Sequence, residues 1–149
     1  MILIAEIDTE LFFDAYLLCK MEYEVSYECF SKQNITVYID DGIVRGFIGW
    51  QNTSDYNIYV SNCIVGEKYR RLGIGLSLLI WLTQQYNGHI MTLDVSVKND
   101  SAIQLYKKVG FEILRTKENY YHDEGSGIYT GEGRNSYVMY KICLFFQNG

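Results

Sequence analysis

At 149 residues, 48% of them hydrophobic and 15% aromatic, the chain can bury one substantial core and has little material for a second. Its formal net charge of -5 weighs against a nucleic-acid footprint, which draws on clustered Lys and Arg, and suits a cationic or amine-bearing partner. Cys19, Cys29, Cys63 and Cys143 are scattered, with no Cys-x-x-Cys pair and no adjacent His, so reduced thiols and no metal site are expected.

Ile2 to Ile7 alternates loosely and reads as a strand, and Asp8-Thr9 offers an N-cap ahead of Leu11, Phe12, Ala15, Leu18 and Cys19 at helical spacing. Ile35 to Ile39 and Val44 to Trp50 are rich in β-branched and aromatic residues, and Asp41-Gly42 between them is a two-residue hairpin signal. A third strand of this group runs from Ile58 to Val65. Leu76 to Tyr86 is apolar on nearly every side and predicts a helix buried between layers, stopped by Asn87-Gly88. Ile90 to Val97 then reads as a strand and Ser101 to Val109 as a helix, capped by Asp100 or Ser101 and ended by Gly110 in the left-handed region. Phe111 to Thr116 and Tyr137 to Leu144 complete a last strand pair, joined by a glycine-rich loop over His122 to Ser136.

The predicted order is β-α-β-β-β-α-β-α-β-β, a mixed α/β sheet in a single domain over residues 1–149. No repeat or linker divides it, and with Pro absent the turns rest on Gly, Asn and Asp. The N-terminus lacks a basic leader, acids interrupt its apolar run, and no segment is long and apolar enough for a bilayer. A soluble, cytoplasmic protein is expected, with no membrane partner, as a monomer or small oligomer.

The most specific local feature is Tyr69-Arg70-Arg71-Leu72-Gly73-Ile74-Gly75, placed between a predicted strand and a buried helix. Helix starts carry unpaired N–H groups and the positive end of the dipole, and residues without Cβ let a diphosphate come close. Taken alone, the stretch is equally a glycine-containing turn with two solvated arginines. A dinucleotide fingerprint would need a third glycine where Ser77 and Leu78 stand.

Arg70-x-x-Gly73-x-Gly75 resembles the pyrophosphate signature of the GNAT N-acetyltransferases. Asn99-Asp100-Ser101-Ala102-Ile103-Gln104-Leu105-Tyr106, followed by Gly110-Phe111, resembles that family's second signature, in the same order and spacing. The resemblance implies the GNAT fold, a mixed, mostly antiparallel splayed sheet of about seven strands with about four helices. It also implies acetyl-CoA as cosubstrate, wedged between the strand from Ile58 and the strand from Ile90. Cys63, Ile64, Val65, Arg70, Arg71, Leu72, Gly73, Ile74, Gly75, Leu76, Asn99 and Tyr106 would bind it.

Two further stretches are similar to the protein N-terminal acetyltransferases, of the NatE catalytic subunit type and the bacterial ribosomal-protein alanine type. Glu118-Asn119-Tyr120-Tyr121 is one, and Tyr23-Glu24-Val25-Ser26-Tyr27 is the other, with Glu24 where the family carries Pro. The likeness implies that Tyr23, Glu24, Val25, Tyr27, Tyr59, Tyr120 and Tyr121 hold the first residues of a peptide. Any single Tyr of the fourteen reads equally well as packing at a sheet end. Asp94 stands where relatives place the general base, Tyr59 matches a strand tyrosine that assists it, and Tyr106 matches the acid that protonates the departing thiolate. An α-amino group titrates near 7.7 to 8.0 and a Lys near 10.4, so a modest base favours N-termini.

The implied activity is acetyl transfer to the α-amine of a protein or peptide N-terminus through a ternary complex, with an auxiliary subunit or the ribosome as further partners. Two alternatives stay open: acetylation of lysine side chains, small amines or polyamines, and a non-catalytic subunit that binds coenzyme A or docks a partner.

Overall fold

Thr9 opens the first helix by accepting the Phe12 amide on its side chain, and that capped start is the first of several local decisions that place the site. The computed structural model describes residues 1–118 and 135–144. Its elements are β1 (Ile2–Ala5), α1 (Glu10–Glu22), α2 (Tyr27–Phe30), β2 (Asn34–Asp40), β3 (Ile43–Ser54) and β4 (Asn57–Val65). A single 3-10 turn at Glu67–Tyr69 leads to α3 (Ile74–Gln85), β5 (Ile90–Ser96), α4 (Asp100–Val109), β6 (Glu112–Lys117) and β7 (Ser136–Ile142). The seven strands form one sheet in the order β1-β2-β3-β4-β5-β7-β6, antiparallel except between β4 and β5.

The expected strands and long helices are present, with shifted ends. β1 stops at Ala5 instead of Ile7, because Asp8 takes φ 65° and the Thr9 amide turns back to the Glu6 carbonyl. β3 continues to Ser54, held by pairing with β4 as far as Asn57. α4 is capped by Asn99, whose Oδ1 accepts the Ala102 amide at 3.2 Å, and not by Asp100 or Ser101. The four-residue α2 has no counterpart in the sequence expectation, since a single turn carries too little periodicity to show. Asp41 and Gly42 both take positive φ, as the tight hairpin requires.

Two cores lie on opposite faces of the sheet. Leu78, Leu79 and Leu82 of α3 and Tyr106 of α4 pack with Trp50, Val60, Met91, Leu93 and Met139 on one face. Phe12, Ala15 and Cys19 of α1 pack with Phe30, Ile35, Val37, Phe47 and Ile64 on the other. Phe30 meets Phe12 and Phe47 edge to face at 5.2 and 5.6 Å, so the short α2 is nailed down by one buried aromatic.

β4 changes face along its length. Its pairing with β3 passes from Asn62 opposite Gly49 to Val60 opposite Trp50, leaving Ser61 as the extra residue of a bulge. Before the bulge Ile58 and Val60 serve the α3 face; after it Ile64 serves the α1 face. No helix among the described residues is long and apolar enough to cross a membrane.

Candidate active site

β4 and β5 run parallel and pair only at Asn57 with Ile90, Ile58 with Met91 and Tyr59 with Thr92. β5 pairs on its other side with β7 along its whole length, so past Thr92 it follows β7 while β4 follows β3. A wedge opens between them, with a cavity of about 170 Å³ lined by Val60 to Ile64 of β4, Asp94 to Ser96 of β5, Asn99, Ala102, Tyr106 and Tyr23.

Beyond the wall at Cys63 and Val65 lies the start of α3. The N-caps of α1, α2 and α4 are Thr9, Ser26 and Asn99, each accepting a main-chain amide on its side chain. At α3 the cap is Gly73, at φ 80°, with no side-chain hydrogen bond. The first amides of α3 are therefore left to an incoming anion, and the helix dipole adds attraction. Arg71 also takes a positive φ of 67°, an unfavourable backbone for a residue with Cβ that this loop enforces. Gly75 has a different use: a Cβ there would lie 3.1 Å from Leu105 Cδ2 and 3.9 Å from Cys63 Sγ, so the bare residue lets α3 approach β4 and α4. Ile74 is buried beneath the turn and Leu72 is exposed. Leu76 lies in the first turn of α3.

Arg70 reaches away from this turn. Its Nε donates to the Val65 carbonyl at 3.1 Å, and its Nη2 forms an ion pair with Glu22 at the end of α1. That contact links the cradle to the connection carrying Tyr23, Glu24 and Val25. The Tyr16 hydroxyl donates to the Val25 carbonyl at 3.1 Å, tying the same connection to α1, and the Tyr27 hydroxyl donates to Asp8 Oδ1 at 3.0 Å, tying the start of α2 to the turn before α1. Tyr23 reaches the cavity from there. Glu24 is exposed, Val25 packs against the α1 core, and Tyr27 begins α2.

Across the opening, Tyr59 donates to Asp94 Oδ2 at 3.0 Å, and Lys117 on β6 brings its ammonium to 4.0 Å from the same oxygen. Burial first, and then the Asp94 charge and hydrogen bond, push the Tyr59 phenol up to about 12. Asp94 alternates with the inward Leu93 and Val95, the strand period turning it to the opposite face. Tyr106 is buried against Phe111, and its phenol is raised by burial first, then by the neighbouring Cys63 and Tyr23. Burial also pushes the Cys63 thiol up to about 12, so it stays protonated.

Three segments far apart in sequence thus converge: Tyr23 from the end of α1, Cys63 from β4 and Tyr106 from α4. Asn99 is among the residues that line the cavity, and its side chain caps α4. Tyr120 and Tyr121 lie outside the described residues. Sequence reading missed Lys117, Glu22, Ser61 and Asn62, because a lone charge or a short polar residue in a strand carries no pattern of its own. No group of three or more His, Cys, Asp or Glu among the described residues could hold a metal ion.

An uncapped glycine start to α3 beside a splayed parallel pair agrees with the two sequence signatures, and residues 2–111 match the profile of the acetyltransferase (GNAT) family. The chain belongs to the GNAT acetyltransferase family. Among GNAT relatives, the N-alpha-acetyltransferase of Sulfurisphaera tokodaii is 38% identical over 85 residues, covering 54% of this chain and 46% of that protein. The structure of Ard1 from Thermoplasma volcanium superimposes with a TM-score of 0.78 at 26% identity, covering 97% of this chain and 99% of that one. Arabidopsis thaliana Naa50, in complex with the bisubstrate analogue CoA-Ac-MVNAL, superimposes with a TM-score of 0.71 at 23% identity, covering 94% and 97%. The chain spans about half the length of the curated relatives it matches, 46% and 44% for two of them.

Proposed function

We propose that this GNAT chain transfers the acetyl group of acetyl-CoA to the α-amino group of a peptide or protein N-terminus. The observation that carries the proposal is the wedge itself: it separates β4 from β5 past Tyr59, with free helix-start amides near Cys63 and Val65 and ionisable groups along its sides. Acetyl-CoA fits the chemistry of that arrangement, an anion-binding turn next to a narrow slot. The cosubstrate supplies a thioester, and the chain supplies everything that positions it.

In this reading the amides of Ile74, Gly75 and Leu76 take the diphosphate, with Arg71 in the preceding loop adding charge and Arg70 held to one side by Glu22. Main-chain N–H groups of the stretch from Cys63 to Val65 donate hydrogen bonds to the carbonyl oxygen as negative charge develops on it. Asp94 takes the proton from the incoming amine, directly or through one water, with Tyr59 orienting the carboxylate through its 3.0 Å bond. Tyr106, buried beside Cys63 and protonated at neutral pH as a phenol is, gives its proton to the departing thiolate. Tyr23, Glu24, Val25 and Tyr27 border the approach of the peptide, together with Tyr59.

The preference for an α-amine rests on its lower basicity, near 7.7 to 8.0 against about 10.4 for Lys, which leaves a usable neutral fraction at pH 7. The names and bound analogue of the relatives support the same substrate class. The test is acetylation of a peptide panel with free and with blocked α-amines. Transfer only to the free α-amine is expected; transfer to lysines of blocked peptides, or calorimetry without heat for acetyl-CoA, overturns the reading.

A further inference from the structure

Gln33, in the connection between α2 and β2, is only 8% exposed, although its carboxamide is polar. Its Oε1 accepts two hydrogen bonds, from Ser61 Oγ and from Asn62 Nδ2, the latter at 3.2 Å. These donors are the extra residue of the β4 bulge and its neighbour, and both line the wedge. Gly49, paired with Asn62 across β3 and β4, makes the arrangement sterically feasible: a Cβ on Gly49 would lie 2.1 Å from Gln33 Oε1 and 2.8 Å from its Cδ. The Gln33 amide donates to the Phe30 carbonyl at 3.4 Å, so its position follows that of α2 and the buried Phe30 ring.

Burying a carboxamide is costly unless it is hydrogen-bonded, and here the bonding is concentrated on one oxygen at one place in the strand. A bulge interrupts the ladder and leaves a residue without its cross-strand partners, which makes it a point where β3 holds β4 less firmly. The same bulge sets which way the main chain from Cys63 to Val65 faces. We propose that Gln33 is a positioning residue: by accepting both Ser61 and Asn62 it holds the bulge in the one geometry that aims the following N–H groups into the wedge. The inference rests on the acetyl-transfer reading above. Gln33 is not among the residues that line the wedge; it acts through β4.

The test measures steady-state acetylation of an acceptor peptide together with acetyl-CoA affinity by calorimetry. Gln33→Met keeps the volume and removes the acceptor; kcat is expected to fall ~10- to 100-fold, the size of a misplaced oxyanion donor, while KM for the peptide and the acetyl-CoA Kd stay within about threefold. Gln33→Glu keeps an acceptor oxygen in place and is expected to hold kcat within about fivefold, while its melting temperature drops because a charge is buried. Gly49→Ala displaces the carboxamide from the other side and is expected to reproduce the Gln33→Met loss. Should Gln33→Met not fold, Ser61→Ala with Asn62→Ala removes the donors instead, and the same selective loss of kcat is expected. Wild-type turnover alongside unimpaired kcat in the acceptor- or donor-deleted variants overturns the positioning role alone, as does equal loss of kcat in Gln33→Met and Gln33→Glu. A wild type without turnover or acetyl-CoA binding overturns the acetyl-transfer reading and this inference with it.

Discussion

The Tyr59 hydroxyl donates a 3.0 Å hydrogen bond to Asp94 Oδ2, bridging β4 and β5 from their last pair, Tyr59 with Thr92, to the residue two beyond Thr92. Two side chains that act as one unit give non-additive losses. Asp94→Asn is expected to lower kcat ~100-fold and Tyr59→Phe ~10-fold, within the range for a lost base and its partner. The double variant should lose little more than Asp94→Asn alone, as steady-state kinetics on one peptide will show.

The raised Tyr59 phenol has a defined signature in pH. Its folded value, about 12, lies above the ordinary 10.0, so the neutral form is favoured by folding. That contribution is complete below pH ~10 and is lost as the pH climbs towards ~12. Chemical denaturation at rising pH in this window should show wild type losing more stability than Tyr59→Phe, with no difference in slope below it. Activity should rise with pH as the α-amine deprotonates near 7.7 to 8.0, with no fall from Tyr59 ionisation below pH ~10.

Tyr106 sits between Cys63 and Phe111, buried and kept protonated. Tyr106→Phe preserves the ring packing and removes the proton. kcat is expected to fall ~100-fold, with the Kd for acetyl-CoA changed less than about twofold. A substrate thioester with a more acidic leaving thiol should recover part of the loss in the same assay.

At Gly73 the backbone takes φ 80° and, its own chain neighbours aside, no atom of the described residues lies within 4 Å of where a Cβ would stand. Gly73→Ala therefore costs backbone strain of about 1 kcal/mol and, in addition, places a methyl at the cradle. The expected result is a ~10-fold or greater weakening of acetyl-CoA binding in calorimetry. Binding of S-acetyl-pantetheine, which lacks the diphosphate, should change far less.

Glu22 neutralises Arg70 next to the same turn, through a pair in which both side chains are near half exposed. Glu22→Gln frees that cation and is expected to tighten acetyl-CoA binding ~2- to 5-fold at low salt, as suits a surface ion pair. The gain should fade as salt is raised in the same titration.

The elements with strong local patterns were legible from the chain. The hairpin turn at Asp41-Gly42, the buried helix of Leu78, Leu79 and Leu82, and the Gly110 stop each follow from a few neighbouring residues. α4's cap shows the limit: Asn99, Asp100 and Ser101 are all good caps, and only the packing of Ile103 and Tyr106 selects the first.

By itself the sequence determined the order of the strands and the three long helices, the family, and the glycine turn before α3, because periodicity, turn chemistry and short motifs are properties of adjacent residues. Only the tertiary structure decided that β4 bulges at Ser61, that Gln33 stands behind it, that Arg70 turns to Glu22, and that Lys117 comes near Asp94. Those relationships join residues far apart along the chain, and they arise when the two cores close and β5 follows β7 away from β4. Burial and distance then settle which side chains meet, and neither quantity is written in local spacing.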